Sequence, residues 1–153
     1  MSTSAAADYS SYGFDDSNIT WFPLGDFKHF VFAVLDVDND RRIVDAILKY
    51  EPNQKIFMHR HIQHTNTMVL QGEHRFYEPD GTLKDVRPVG RYTSTPADPD
   101  PHTEGGGADG AIVLYSIRAD GDLLFEILDE NLEVAGTLTM QDLNGAFEMQ
   151  KNA

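Results

Sequence analysis

Short apolar segments, each closed by turn-forming residues, follow one another along most of this chain. The run from Phe30 to Val37 ends at Asp38–Asp40, and comparable runs occupy residues 111–117, 123–128 and 134–140. Many short runs at a spacing of about 8–12 residues are typical of an all-β sandwich or barrel. A chain of 153 residues is also long enough to bury a core of its own. We therefore predict a single all-β domain.

Two segments are less regular than the rest. The apolar residues of 43–50 fit helical as well as strand spacing, but turns on both sides favour a strand. Residues 96–109 contain three prolines and three glycines, so they are predicted to form a loop, with the glycines as a flexible linker. Residues 1–18 are predicted to be a flexible arm, and residues 19–150 the folded domain.

Composition excludes several classes of function. Twelve Lys and Arg against 25 Asp and Glu give a net charge of −13, which argues against partners such as nucleic acid or an anionic membrane. The absence of cysteine excludes disulfides, thiolate metal sites and cysteine nucleophiles. The N-terminus lacks the basic and apolar stretches of a signal peptide, and no apolar run reaches the length of a membrane span. We predict a cytoplasmic protein.

The segment from Met58 to His61 is the most informative for chemistry. Alternate residues of a strand share a face, so His59 and His61 project together while Arg60 points away. Two neutral imidazoles on the inner face of a barrel can hold a metal ion, and they suit Zn, Cu, Fe and Ni. An isolated His-x-His pair is a weak signal, so its context decides.

That context resembles the two signature motifs of the cupin superfamily. His59-Arg60-His61 is followed by Gly72, and then by Gly90, Pro96 and His102. The second motif matches loosely, because His102 comes one residue later than the usual spacing. The resemblance implies a single-domain cupin, which is a jelly-roll β-barrel also described as a double-stranded β-helix.

The resemblance also implies metal ligands. It assigns the metal, and catalysis through it, to His59, His61 and His102. Cupins usually add a glutamate four or five residues after the second histidine, but this chain has no acidic residue there. The predicted donor set is therefore neutral. It is similar to that of the three-His cupins that cleave β-diketones or dihydroxyacetophenones, and residues 125–151 resemble the end of that group.

A metal ion with three neutral ligands keeps its full charge and so favours an anionic chelator such as a 1,3-diketone enolate. We predict a mononuclear non-haem Fe(II) dioxygenase that cleaves a C–C bond of a β-diketone or related enolisable ketone with O₂. Zn(II) and Ni(II) are the alternative ions. The predicted partners are a small-molecule substrate, O₂ and further copies of the chain, in a homodimer or homotetramer.

Two alternative functions remain open at this stage. The first is a zinc-dependent cupin polyketide cyclase or isomerase, in which His64 would join the coordination as a fourth ligand. The second is a non-catalytic metal-binding sensor, whose closed coordination shell would leave no position for a substrate.

The substrate pocket is expected to be apolar. Alternate residues counted from His59 place Phe57 on the inner face, and an inward-facing Asn66 places Met68 and Leu70 there as well. With candidates from the later strands, the predicted wall is made of Phe57, Met68, Leu70, Val113, Tyr115, Ile117 and Phe125. Asn66 and Glu104 are expected to orient the ligand side chains by hydrogen bonding. For Arg75 and Arg91, positions that face solvent are favoured over the alternative of binding a carboxylate substrate.

Overall fold

The computed structural model describes residues 6–9 and 12–153, and this part of the chain forms nine strands and one helix. The elements are β1 (Phe30–Asp38), β2 (Ile43–Tyr50), β3 (His59–His61), β4 (His64–Tyr77), β5 (Leu83–Pro88), β6 (Tyr92–Thr95), β7 (Asp98–Arg118), β8 (Leu123–Leu128), β9 (Val134–Thr139) and α1 (Met140–Lys151). The strand pairs are antiparallel. The all-β prediction is confirmed.

Two long strands organise the sheet. β4 and β7 pair from His64 opposite Arg118 to Tyr77 opposite Thr103. The strand order is β1-β2-β7-β3-β8-β9, while β5 and β6 pair with β4. The β4–β7 ladder shifts register on both sides of Gly72, whose φ is 72° and whose Cα lies so close to β7 that a Cβ would sit 2.1 Å from the Gly110 carbonyl oxygen. These shifts let the sheet curl.

The prediction of a loop over residues 96–109 is wrong, because most of that segment belongs to β7. Its glycines permit close packing rather than flexibility. A Cβ on Gly105 would lie 1.8 Å from the Gln54 carbonyl oxygen, and one on Gly106 would lie 2.6 Å from the Gly110 Cα. Side chains at these positions would push the neighbouring backbone away from the strand.

Residues 43–50 form a strand, as predicted, and the structure explains the ambiguous pattern. Val44 and Tyr50 on one face belong to the main core, whereas Ile47 on the other face packs in a second cluster. Trp21 and Ile19 pack against this second cluster. Because both faces of β2 carry apolar residues, strict alternation is lost and a helix-like spacing results.

The sequence analysis did not identify the C-terminal helix. Thr139 caps α1 through a capping box, in which its hydroxyl accepts from the Asp142 backbone N–H and the Asp142 carboxylate accepts from the Thr139 backbone N–H. Met140 and Leu143 are buried in the main core. The helix therefore closes one side of the sheet.

Part of the predicted N-terminal arm lies outside the described residues, namely 1–5 and 10–11. Near the end of that arm, the Asp16 carboxylate accepts hydrogen bonds from Trp21 Nε1 at 3.1 Å and from Lys49 Nζ at 2.6 Å. Within the described part of the chain, no helix has the length and hydrophobicity to span a membrane.

Candidate metal centre

Four buried or half-buried side chains converge from two neighbouring strands. β3 supplies His59 and His61, and β7 supplies His102 and Glu104, with His59 directly opposite His102 in the ladder. Residues two apart in a strand share a face, so each strand directs both of its side chains to the same point. One imidazole nitrogen from each histidine and a carboxylate oxygen all lie within 4.8 Å of one another.

Backbone hydrogen bonds orient two of the rings. His59 Nδ1 donates to the Phe57 carbonyl oxygen at 2.9 Å, and His102 Nδ1 donates to the Asp100 carbonyl oxygen at 3.2 Å. With the proton on Nδ1, each neutral ring presents an Nε2 lone pair toward the cluster. His59 Nε2 lies 3.3 Å from His61 Nε2. These are the orientations that a metal ion requires of its histidine ligands.

Two buried atoms of the cluster support a bound cation. His102 Nε2 and Glu104 Oε2 have no hydrogen-bond partner among the described residues. Buried polar atoms nearly always have one, because leaving them unpaired is costly. A divalent ion between three imidazole nitrogens and a carboxylate oxygen would satisfy both atoms, and this donor set suits Zn or Fe. The residues present therefore fit a metal ion.

Glu104 is held by a buried network of donors. Its Oε1 accepts from the Tyr50 hydroxyl at 2.9 Å and from the Tyr115 hydroxyl at 3.1 Å, and its Oε2 lies 3.5 Å from His74 Nε2. Burial alone would raise the pKa of Glu104, but its interactions with the nearby His102 and His74 rings hold that pKa well below its usual range. Burial and the Glu104 charge raise the pKa of both tyrosines. The carboxylate is therefore ionised, and the phenols stay protonated as donors.

The three histidines differ in their affinity for protons. Burial lowers the pKa of His59, and burial followed by the proximity of His59 places the pKa of His61 well below its usual value. For His102, burial acts in the same direction, but the Glu104 carboxylate outweighs it and raises the pKa. A proton thus competes with a metal ion mainly at His102.

Two cavities of the described structure reach the cluster. The first, here called the apolar cavity, is lined by Leu24, Phe30, Phe32, Ala46, Leu48, Ile56, Phe57, His59, Glu104, Tyr115, Ile117, Phe125, Leu138 and Leu143. The second, here called the polar cavity, is lined by His61, Thr65, Thr67, Phe76, Lys84, Asp85, Arg87, Thr95, Pro96, Asp98, His102, Glu104 and Tyr115. Each cavity is therefore bordered by at least two members of the cluster.

The three histidines singled out from the sequence lie together, but the expected neutral donor set needs correction. Glu104, expected only to orient a ligand by hydrogen bonding, brings its carboxylate into the cluster: Oε1 lies 3.7 Å from His59 Nε2, and Oε2 lies 3.7 Å from His102 Nε2. The sequence signal was His102-Thr103-Glu104, which has the same alternation as His59-Arg60-His61. The prediction of a loop over residues 96–109 hides this signal, because alternation defines a face only within a strand.

His64 and Asn66 lie outside the cluster. His64 Nε2 is 3.0 Å from Asn66 Oδ1 and 2.8 Å from the Ser94 hydroxyl. Thr65 and Thr67, rather than Asn66, line the polar cavity. The expectations of a fourth ligand at His64 and of an orienting role for Asn66 are therefore corrected, since the inward parity of β4 is the opposite of the one predicted.

The residues of the predicted pocket wall divide into those that line a cavity and those that do not. Four of its members line the apolar cavity, namely Phe57, Tyr115, Ile117 and Phe125. Among the described residues, Met68, Leu70 and Val113 line neither cavity. Leu70 packs against the second cluster, which contains Ile47, as expected if β4 has the opposite parity. Val113 is fully buried in the main core.

The curled antiparallel sheet with this cluster is a cupin fold, as the sequence motifs implied. No family model matches the chain, and no curated protein does. Among solved structures, an RmlC-like cupin protein from Ralstonia eutropha aligns with a TM-score of 0.71 at 16% identity, over 91% of this chain and 86% of that one. At this level of identity, the likeness concerns the fold alone.

Two further structures share the fold along nearly the whole chain. An acetylacetone dioxygenase from Acinetobacter johnsonii aligns with a TM-score of 0.60 at 13% identity, covering 97% of each chain. A proposed acetylacetone dioxygenase from Methylibium petroleiphilum aligns with a TM-score of 0.60 at 14% identity, covering 96% of this chain and 98% of that one.

Proposed function

We propose that this protein binds one divalent metal ion through His59, His61, His102 and Glu104, and uses it to cleave a C–C bond of a β-diketone or related enolisable ketone with O₂. The observation that carries the proposal is the convergence of these four donors within a fold shared with an acetylacetone dioxygenase. Fe(II) is the proposed ion. Bound there, it would supply Lewis acidity toward the ketone and the redox chemistry that O₂ requires.

Glu104 changes the charge that the site presents. Three neutral imidazoles and one carboxylate leave a divalent ion with about one positive charge, rather than the two expected from histidines alone. That charge still favours a monoanionic chelator, such as an enolate, over a neutral ketone. Tyr50 and Tyr115 hold the carboxylate by donating to its Oε1.

The apolar cavity has the character of a substrate wall. Phe57, Ile117 and Phe125 border it beside His59, and the rings of Phe125 and His61 are 5.0 Å apart. Apolar walls exclude water and bind the alkyl or aryl groups that flank a diketone. We infer that the organic portion of the substrate packs here.

The proposal is tested by loading the purified protein with Fe(II) without oxygen, adding a panel of β-diketones and then admitting O₂. We expect one O₂ consumed per diketone cleaved, and two carbonyl fragments that together retain all four oxygen atoms. His102→Ala is expected to abolish both metal binding and O₂ uptake. His29→Ala is the matched control, because the half-exposed His29 ring lies outside the cluster, with its Nδ1 2.7 Å from Glu51 Oε2.

Two results would contradict the proposal. The first is the absence of O₂ uptake across the panel in protein that metal analysis shows to be fully loaded. The second is the same turnover in the His102→Ala variant. Loading with Zn(II) gives a further control, because zinc has no redox chemistry and is not expected to support O₂ uptake.

A non-catalytic metal-binding sensor is the second candidate, and one observation favours it. Four protein donors are enough to complete a tetrahedral zinc shell, which would leave no position for a substrate. Tight zinc retention with no spectral change on adding diketones would support this candidate. The proposed assembly of the chain into a dimer or tetramer, and its cytoplasmic location, stay predictions.

A further inference from the structure

The polar cavity contains an arginine that the sequence analysis did not single out. Arg87 lies on β5, and its side chain is 16% exposed. Its guanidinium carbon is 4.1 Å from the centre of the Phe76 ring, and that ring is 5.7 Å from the His102 ring. The cation is thus held within about 10 Å of a candidate metal ligand.

Hydrogen bonds fix the plane of the Arg87 guanidinium. Nε donates to Asp85 Oδ2 at 3.0 Å, and Nη1 donates to the Thr93 hydroxyl at 3.2 Å and to the Thr67 hydroxyl at 3.5 Å. None of these bonds involves Nη2, so a ligand of Arg87 would be met by the hydrogens of that nitrogen. A fixed guanidinium plane matches the geometry of a carboxylate and loses little freedom when it binds one.

The charges around the polar cavity also favour an anion once a metal is bound. Lys84 and Arg87 are its cationic side chains, and Asp85, Asp98 and Glu104 its acidic ones. A divalent ion at the cluster would bring the cavity to one net positive charge. Two of the three acidic side chains already have hydrogen-bond partners. Asp98 Oδ1 accepts from the Asp100 backbone N–H, and Asp85 Oδ2 accepts from Arg87 Nε.

We propose that the polar cavity binds a carboxylate through Arg87, so that the ligand of this site is an enolisable diketone that also carries an acid group. This inference rests on the proposed function, because it places the diketone oxygens toward the metal cluster and the carboxylate toward β5. Arg87 is then a residue that determines specificity. Arg75 is unsuited to the role, because it lines a different cavity, which contains no member of the cluster.

The test compares the binding of 2,4-dioxopentanoate and 2,4-pentanedione by calorimetry, using zinc-loaded protein without O₂. We expect 2,4-dioxopentanoate to bind about ten- to a hundredfold more tightly than 2,4-pentanedione, which lacks the carboxylate. Arg87→Gln is expected to remove this advantage and to lower the affinity for 2,4-pentanedione much less. Arg75→Gln, which also removes one positive charge, is expected to retain it.

Arg87→Lys provides a second variant in case Arg87→Gln does not fold, which thermal melting will reveal. Lysine keeps the charge but loses the planar fork, so we expect it to retain only part of the advantage. Equal affinity of the native protein for both probes would overturn the inference, as would an equal loss of both in Arg87→Gln or an undiminished advantage in Arg87→Lys. The proposed dioxygenase function fails separately, by an absence of O₂ uptake in iron-loaded protein.

Discussion

The sharpest prediction concerns the carboxylate of Glu104. Glu104→Gln keeps the shape of the side chain and an oxygen that can accept from Tyr50 and Tyr115, but removes the negative charge. We expect the affinity for Zn(II) to fall by about a hundredfold to a thousandfold. The protein is still expected to fold, because the two tyrosine hydroxyls keep an acceptor.

The magnitude follows from the geometry. The Glu104 oxygen lies within 4.8 Å of the three imidazole donor atoms, so its charge is close to any ion that they hold. Two unit charges 4 Å apart attract each other by about 4 kcal/mol at an effective dielectric constant of 20. For a divalent ion and one carboxylate this attraction is doubled, and it sets the upper bound on the loss of binding free energy. The amide oxygen recovers part of the loss by polar contact. A net loss of about 3 to 4 kcal/mol corresponds to the stated change in the dissociation constant.

The assay is competition for Zn(II) with a chromophoric chelator, repeated with Fe(II) under anaerobic conditions. Glu126→Gln is the matched control, because it removes the same charge from β8, where Glu126 lies 3.5 Å from Arg60 and outside the cluster. If Glu104→Gln binds zinc as tightly as the native protein, the carboxylate is not part of the metal site. The neutral three-histidine site expected from the sequence would then be restored.

The remaining predictions concern protons, His64 and the glycines of β7. At pH 6.5, zinc binding is expected to release about one proton, because Glu104 raises the pKa of His102 while burial lowers the pKa values of His59 and His61. Calorimetry in two buffers of different ionisation enthalpy measures the number of protons released. Release of no proton, or of three, would contradict the prediction. His64→Ala is expected to leave the zinc dissociation constant within about twofold of the native value in the same chelator assay, because the His64 ring hydrogen-bonds to residues outside the cluster. A tenfold loss of zinc affinity would contradict this placement of His64. Gly105→Ala is expected to lower the free energy of unfolding in urea by about 1–3 kcal/mol, because its Cβ would collide with the Gln54 carbonyl oxygen; an unchanged midpoint would show that this contact relaxes easily.

The sequence predicted the fold class and the pairing of His59 with His61 because both depend on local alternation, whereas His102 was implied by the resemblance to the cupin motifs. His59 and His61 share a face in any strand, and the spacing of turns limits the choice of architecture. Glu104 was misjudged because β7 has a composition that local rules assign to a loop. Gly105 and Gly106 are required by close contact with residues distant in sequence, and that requirement is visible only after folding.

The parity of β4 was misjudged for a related reason. A one-residue shift in register exchanges the two faces of a strand, and in β4 the apolar residues do not all lie on one side. Val69 is buried in the main core while Leu70 packs against the second cluster, so hydrophobicity alone does not identify the inner face of β4. Arg87 was overlooked because nothing in the local sequence distinguishes it from an arginine that faces solvent.

The shortness of β3 has a consequence for the order in which the protein opens. This three-residue strand provides two of the four donors, and it is held between β7 and β8 by only a few ladder bonds. An ion clamped between it and β7 would act as a cross-link where the backbone contributes least. Amide hydrogens at this position are then expected to exchange with solvent orders of magnitude more slowly in the metal-loaded protein than in the apoprotein, so a bound ion would also stabilise this short strand.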